Sequence, residues 1–389
     1  MNHSDVIILG AGAAGLMAAI EAAKRGRSVI VLEHNRAVGE KIRISGGGRC
    51  NFTNIHAESG NFLSANPDFC RSALTRYTPE DFIRLVERQR IRYHEKKLGQ
   101  LFCDASAQQI IDMLLEECRI AGVTIRTGAE VADVRKSDRF RIALKGAEWS
   151  AAALVIASGG LSVPKLGATD LGYRVARQFG LPVVEPRPGL VPFVFRGADW
   201  KRLHELSGVS LEAGVTCGGE HFREHVLFTH RGLSGPAVLQ ASSYWRPGEA
   251  ITIDLLPGTN AEELLSTHRS SRKELATVLE SHLPARFVRV WLDQRDGSRP
   301  MNALSTPEIR ELAEQLKRWR VVPSGTEGLG KAEVTVGGVD TRALSSKTME
   351  ARSVPGLYFV GEVMDVAGWL GGYNFQWAWS SGWVAGQSV

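Results

Sequence analysis

The chain has 389 residues, of which 43% are hydrophobic and 23% charged, an ordinary composition for a globular protein of two or three domains. The chain has an odd number of cysteines, five, and no two of them form a Cys-x-x-Cys pair. This pattern argues for a reducing compartment and against a zinc ribbon. The net charge of +5 is spread along the chain without a run of five or six basic residues, which argues against nucleic acid as a partner.

Residues 6–23 are mostly apolar and about as long as a membrane helix. Three glycines interrupt them, Glu21 falls inside them and no basic leader precedes them, so strand, turn and helix is the better interpretation. No other apolar stretch is long enough to cross a bilayer. We therefore predict a cytoplasmic protein with no membrane partner.

A β-α-β unit is predicted at the start of the chain. Residues 6–9 and 28–32 read as buried parallel strands, and residues 13–25 read as a helix that ends at Gly26. A dinucleotide-binding fingerprint lies between the first strand and the helix, and an acidic residue ends the second strand: Gly10, Gly12, Ala13, Ala14, Gly15 and Glu33.

This fingerprint has a physical basis. The glycines allow a tight turn, close approach of a pyrophosphate and close packing of the helix, whose N-terminus attracts the phosphate charge. A carboxylate at Glu33 can accept hydrogen bonds from ribose hydroxyls and would repel a 2′-phosphate, which disfavours NADP. The motif alone does not separate FAD from NAD.

Residues 36–54 are glycine-rich and polar and are predicted to form a long functional loop. Three consecutive glycines at its centre allow close backbone approach to a planar ring or a phosphate. Lys41, Arg43 and Arg49 would supply positive charge beside a pyrophosphate.

The pattern changes after residue 191. Short strands separated by turns predict a small antiparallel barrel, and a helical stretch follows before an α/β pattern returns. We therefore predict four segments: a nucleotide-binding domain over 1–191, an inserted β-barrel over 192–258, an inserted helical region over 259–322 and a return to the first domain over 323–389.

The segment 39–54 closely resembles the glycine-rich signature of the aminoacetone-oxidase-like (YhiN/BaiN-type) bacterial FAD-binding proteins. Further matches at 229–236, 335–339, 361–365 and 371–379 extend the resemblance over nearly the whole chain. It implies an α/β fold, namely a glutathione-reductase-like FAD-binding Rossmann domain with an inserted antiparallel β-barrel and a small helical domain. One departure is Cys103, where members of the family often have proline.

The resemblance also implies that further residues bind FAD. Those expected along the flavin are Ser45, Gly46, Arg49, Cys50 and Asn51. Val131 is expected at the adenine, and Ser158, Gly159 and Gly160 form a second glycine element near the FAD. Gly361 and Glu362 are expected near the ribityl and pyrophosphate groups. Gly372, Tyr373 and Asn374 are expected over the ring.

The function implied is that of an FAD-dependent oxidoreductase that transfers hydride through the flavin. We predict reduction of an unsaturated small-molecule substrate, with NAD(P)H as a transient electron donor. One alternative is an amine (aminoacetone-like) oxidase that uses oxygen. Another is a non-catalytic flavoprotein that acts as a redox sensor or RNA-associated partner. No metal site is predicted, and no catalytic acid or base is assigned.

Two suggestive side chains have a plainer explanation. Cys50 lies where disulfide reductases carry redox cysteines, but a relay needs a second cysteine close in sequence, so Cys50 is predicted to pack against the cofactor. His230 is either an acid or base or a residue that fixes its loop, and we favour the loop role.

Overall fold

A computed structural model of the chain describes residues 2–292 and 296–389. Its helices and strands follow the pattern of apolar and polar residues in the sequence. The helices are α1 (Ala13–Lys24), α2 (Glu40–Gly48), α3 (Arg71–Arg76), α4 (Pro79–Arg88), α5 (Gln108–Ala121), α6 (Leu171–Gln178), α7 (Ala198–Leu203), α8 (Pro236–Ser242), α9 (Ala261–Thr267), α10 (Leu275–Glu280), α11 (Ala285–Trp291), α12 (Thr306–Lys317) and α13 (Tyr373–Gly386). The strands are β1 (Asn2–His3), β2 (Val6–Leu9), β3 (Val29–Leu32), β4 (Asn51–Asn54), β5 (Phe62–Leu63), β6 (Tyr93–Glu95), β7 (Gln100–Cys103), β8 (Thr124–Arg126), β9 (Val131–Lys136), β10 (Phe140–Leu144), β11 (Ala147–Ala151), β12 (Ala153–Ile156), β13 (Val183–Gly189), β14 (Phe193–Val194), β15 (Ser210–Cys217), β16 (Glu220–Phe228), β17 (Gly232–Ser234), β18 (Ile251–Asp254), β19 (Trp319–Val321), β20 (Gly325–Thr326), β21 (Val334–Val339), β22 (Leu357–Phe359) and β23 (Ala367–Gly368).

The chain divides into two compact units, one formed by Met1–Arg187 with Val334–Val389 and the other by Pro188–Glu333. The centre of the first unit is a parallel sheet in the order β22-β12-β2-β3-β8. Strands β22, β12, β2 and β3 are buried along their whole length, which is typical of a parallel sheet covered on both faces, whereas the edge strand β8 is largely exposed. Leu9 pairs with Leu32 and with Ile156, so the carboxyl ends of the central strands lie at one edge.

Helix α13 packs closely along α1. The two helices approach through small residues, because a Cβ at Gly382 would lie 2.5 Å from the Ala14 carbonyl oxygen and one at Gly386 would lie 2.7 Å from that of Ala18. This packing places the start of α13 beside β4, where the Trp379 indole donates to the Phe52 carbonyl over 2.8 Å. The last helix of the chain therefore supports the segment that follows α2.

Residues 36–54 differ from the predicted long loop, since they contain α2 and β4. The helix is kinked, because Ser45 is extended and Gly46 and Gly47 are left-handed, with φ of +56° and +67°. The glycines therefore break the helix without removing it. Strand β4 joins a three-stranded antiparallel sheet in the order β4-β7-β6.

The second unit contains an antiparallel sheet in the order β19-β18-β15-β16-β17-β14-β20, together with α7 to α12. The predicted α/β fold class with an inserted antiparallel region and helices is confirmed. The finer boundaries at 192, 259 and 323 remain predictions. Within 2–292 and 296–389, no helix combines the length and the apolar character that crossing a membrane requires.

Candidate functional site

The predicted motifs meet at the carboxyl edge of the parallel sheet. Gly10 follows β2, Glu33 follows β3, Ser158 comes two residues after β12, and Gly361 comes two residues after β22. In open α/β sheets, ligands bind outside the carboxyl ends of the strands. Four segments that are far apart in sequence thus form one candidate cofactor site.

The N-terminus of α1 is shaped for an anionic group. Its cap residue, Gly12, provides no side-chain acceptor for the first N–H groups of the helix, and a Cβ added there would meet no atom within 4 Å. By contrast, a Cβ at Gly15 would collide with the Gly10 carbonyl oxygen. Gly15 therefore serves packing, whereas Gly12 keeps space open before the helix dipole, as a pyrophosphate requires.

Glu33 is buried beside this turn. Its carboxylate accepts hydrogen bonds from the backbone N–H groups of Ala11 (2.7 Å) and Asn35 (2.8 Å). Burial alone would raise the pKa of Glu33, but the hydrogen bond from His34 and those two N–H groups hold it below its usual value. The carboxylate is thus charged at neutral pH and suited to accept from ribose hydroxyls.

The kink in α2 leads directly to the segment expected along the flavin. Ser45 donates to the Ile42 carbonyl oxygen over 2.8 Å, and Cys50 N–H donates to the Ser45 carbonyl oxygen over 3.0 Å. With its amide oriented to satisfy its neighbours, Asn51 accepts from the Gly372 N–H over 3.2 Å. The structure therefore brings together two predicted site residues separated by most of the chain.

Lys41 and Glu362 form an ion pair within a hydrogen-bonded network. Lys41 Nζ lies 2.6 Å from Glu362 Oε2 and 2.7 Å from Ser162 Oγ. The Ser162 hydroxyl and the Thr335 N–H donate to Glu362 Oε1, each over 2.9 Å. The Thr335 hydroxyl oxygen accepts from the Leu161 and Ser162 N–H groups. The predicted site residues Lys41 and Glu362 therefore touch each other.

This network keeps a charge pair in a mostly buried place. Burial would raise the pKa of Glu362, but the attraction of Lys41 and the hydrogen bonds from Lys41, Ser162 and Thr335 hold it below its usual value. Sequence reasoning did not select Ser162 or Thr335. The only available signals were the segment 335–339, which was matched to the family but given no role, and the position of Ser162 just after Gly160.

Gly361 and the start of α13 close the site. A Cβ on Gly361 would lie 2.8 Å from the Ala14 Cβ, which places Gly361 against the first turn of α1. The Asn374 amide is bound to backbone, since it accepts from Gly368 N–H and donates to the Gly368 carbonyl, each over 2.8 Å. The Tyr373 ring packs edge-on against Phe62. Both side chains thus shape the segment that surrounds Gly372.

The remaining predicted residues lie at different places. Val131 begins β9, outside the parallel sheet, but the preceding Ala129 N–H donates to the Glu33 carbonyl oxygen over 2.8 Å. Gly159 and Gly160 follow Ser158, and a Cβ on Gly160 would collide with the Thr335 hydroxyl. Arg49 is exposed, whereas Cys50 is fully buried. His230 is exposed in the second unit.

The cysteines are expected to be unreactive in the folded protein. All five are buried and in the thiol form. Burial raises the pKa of Cys50 far above its usual range, and it raises that of Cys103 to about 12. The thiolate is the reactive form of cysteine, so these groups are poor nucleophiles at neutral pH.

We expect a soluble thiol reagent at pH 7 to modify less than one cysteine per native chain in the time in which all five react after unfolding in urea. The measurement is the absorbance of the released chromophore, with peptide mapping of the modified residues. Fast, stoichiometric modification of Cys50 in the folded protein would contradict this expectation.

The sequence of this chain matches a known protein family over almost its whole length. The model described as the HI0933-like protein Rossmann domain matches residues 4–388. The chain belongs to the HI0933-like family. It is a family of FAD-binding Rossmann proteins with oxidoreductase members, so the predicted flavin-binding oxidoreductase class is confirmed. Which residues hold FAD in this chain remains a prediction.

Relatives of this HI0933-like protein include one from Escherichia coli K12, named ribosomal RNA dihydrouridine synthase, with 52% identity over 100% of this chain and 98% of the relative. A relative from Haemophilus influenzae has the same name and is 49% identical over 100% and 99% of the two chains. A third, the 3-dehydro-bile acid delta(4,6)-reductase of Clostridium scindens, is 29% identical over 98% of both. Among solved structures, a flavocytochrome c3 fumarate reductase matches with a TM-score of 0.48 and 15% identity over 100% of this chain and 78% of that chain.

The prediction of a small-molecule substrate, and the argument against nucleic acid as a partner, are wrong. They are overturned by the two relatives that align over their whole length and are named for ribosomal RNA. The error came from judging basic charge by long uninterrupted runs, although cations alternating with other residues in a strand produce an equally basic face. The amine-oxidase alternative remains a prediction.

Proposed function

We propose that this protein is a flavin-dependent ribosomal RNA dihydrouridine synthase. The observation that carries the proposal is the 52% identity to a protein of that name over the full length of both chains. The candidate flavin site at the edge of the parallel sheet agrees with it, because reduction of a nucleobase needs a hydride donor. The proposed substrate is also consistent with the predicted cytoplasmic location.

The reaction adds two electrons and two protons to uridine. The C5=C6 double bond is conjugated with the C4 carbonyl, so C6 accepts a hydride and C5 then accepts a proton, which gives dihydrouridine. When bound, FAD would take two electrons from a reduced nicotinamide and supply them as hydride. The relative named as a bile-acid reductase supports the reducing direction. NAD(P)H is the proposed donor.

In this proposal, residues of the first unit hold the cofactor. The N–H groups at the start of α1 would bind the pyrophosphate, and the space in front of Gly12 admits it. Glu33 would accept from the ribose, and Lys41 would keep positive charge near the cofactor while paired with Glu362. Asn51 and Gly372, already in contact, would enclose the ring and exclude water.

The test is to incubate the purified holoprotein and NADPH with ribosomal RNA transcribed without modifications, and with ribosomal subunits assembled from it. Nuclease digestion and mass spectrometry should find a uridine that has gained the mass of two hydrogens. A heat-denatured sample is the control. No dihydrouridine on either substrate, with the flavin fully reducible, would overturn the proposal.

A further inference from the structure

One short segment of the first unit is densely basic. Residues 88–97 contain five Lys or Arg and one Glu, a net charge of +4, against +5 for all 389 residues. The Arg and Lys side chains of this segment are exposed. Its acidic neighbours are engaged, since Glu95 Oε1 accepts from the Gly99 N–H over 3.0 Å and Asp104 pairs with His94 over 2.7 Å.

The segment includes the edge strand β6. The register pairs Asn51 with Phe102 and Phe102 with His94, so these three residues form a row across one face of the β4-β7-β6 sheet. The His94 ring stacks on Phe102, and Lys96 Nζ lies 5.4 Å from the centre of the same ring. This face therefore runs from the flavin segment at Asn51 to an exposed basic edge.

Two contacts tie this edge to the candidate flavin site. A Cβ on Gly46 would lie 2.9 Å from Phe102 Cε1, so the kink of α2 lies directly on the Phe102 ring. The Asn54 amide donates to the carbonyls of both Leu98 (3.0 Å) and Gly371 (2.9 Å). The basic turn is thereby connected to the residue next to Gly372.

Apolar side chains are exposed at the same turn. Leu98 is 64% exposed and has a φ of +51°, a left-handed conformation that is unfavourable for leucine. Ile55, whose N–H donates to the Gly99 carbonyl over 3.0 Å, is 37% exposed. Apolar groups beside cations suit a nucleic acid, because phosphates bind the cations while an unstacked base covers the apolar surface.

We propose that Arg92, His94, Lys96 and Lys97 form a surface that binds the backbone of the RNA strand whose base enters the flavin site, with Leu98 and Ile55 against an unstacked base. Two of these residues, His94 and Lys96, contact the Phe102 ring. The proposal of this 92–97 surface rests on the proposed function, since an RNA substrate is what the surface would bind. Its charge is complementary to the phosphates, and its position lets a strand lie on the edge while one base reaches Asn51 and Gly372. The simpler explanation for cations on β6 is that they prevent edge-to-edge aggregation.

The experiment measures binding of a fluorescent ribosomal RNA fragment between about 0.05 and 0.3 M salt. The test variant is Arg92→Gln with Lys96→Gln and Lys97→Gln. The matched control is Arg135→Gln with Arg141→Gln and Lys347→Gln, which removes the same charge from exposed positions of the same unit. FAD content and thermal unfolding are measured for both, to show that each variant is folded.

The test variant should bind RNA about 10- to 100-fold more weakly at about 0.1 M salt, and the slope of log affinity against log salt should fall by about 2. The control should change affinity by less than about 3-fold. Equal RNA binding by the test variant and the wild type would overturn the 92–97 surface. If the test variant binds RNA more weakly but the wild type makes no dihydrouridine, the proposed function is overturned and the 92–97 surface stands.

Discussion

Replacing Gly12 by valine should remove FAD from the protein while hardly changing the free energy of unfolding of the cofactor-free chain. Gly12 has φ −85° and ψ −171°, an extended conformation that valine adopts readily. A Cβ there meets no atom within 4 Å, so the side chain fits the empty fold. It would, however, fill the space before α1 that a pyrophosphate needs. We expect FAD affinity to fall at least about 100-fold, or roughly 3 kcal/mol.

Two control variants separate binding from folding. Gly15→Val should lose both FAD and stability, because its Cβ collides with the Gly10 carbonyl oxygen. Gly26→Ala has φ +82° but open surroundings, so it should keep FAD and lose about 1 kcal/mol of stability. The measurements are the FAD released per chain on denaturation and urea unfolding of the cofactor-free proteins. A Gly12→Val protein that retains a full complement of FAD would refute this assignment.

Replacing Lys41 by methionine should destabilise the protein by about 2 kcal/mol at pH 7. Loss of one partner leaves the Glu362 carboxylate buried with only Ser162 and the Thr335 N–H. A fully buried pair would cost about 3–5 kcal/mol, but the Lys41 side chain is 34% exposed, so solvent screens part of the effect. Urea unfolding of the cofactor-free protein measures the change.

The sign of the pH dependence should differ between the two proteins. In the wild type the pKa of Glu362 lies below its unfolded value, so its contribution to stability is present above the unfolded pKa and is lost as the pH falls through the folded pKa. In Lys41→Met, burial should instead raise that pKa, so the variant should lose stability as the pH rises from about 4.5 towards 7.

Adding Glu362→Gln to Lys41→Met removes the uncompensated charge and should restore at least half of the lost stability. Glu362→Gln alone should cost about 1 kcal/mol, because Lys41 can remain solvated. If the free energy of unfolding of Lys41→Met lies within about 0.5 kcal/mol of that of the wild type at every pH, the ion pair does not stabilise this site.

The parts of the fold that depend on local pattern were predictable. Four apolar residues before Gly10 predicted the buried strand β2, and the residues after the fingerprint predicted helix α1. The start of α8 at Pro236 follows the preference of proline for the first turn of a helix. In each case neighbouring residues decide the conformation.

The parts of the fold that depend on residues far apart in the sequence were not predictable. Consecutive glycines argued against helix α2, yet the residues before Ser45 are helical, and the chain leaves the helical conformation only from Ser45 through Gly48. The partners of Lys41 lie 121 and 321 residues away, and no local pattern indicates them. The basic segment was missed because other residues separate its Lys and Arg side chains, and because no local pattern indicates the pairing that places His94 beside Phe102.

The central claim, that this flavoprotein reduces uridine in ribosomal RNA, is tested most directly in a single turnover. The holoprotein is reduced anaerobically by light, with no nicotinamide present, and mixed with unmodified ribosomal RNA. We expect the oxidised flavin absorbance to return and the RNA to gain one dihydrouridine for each flavin oxidised. A flavin that stays reduced beside RNA free of dihydrouridine would contradict it.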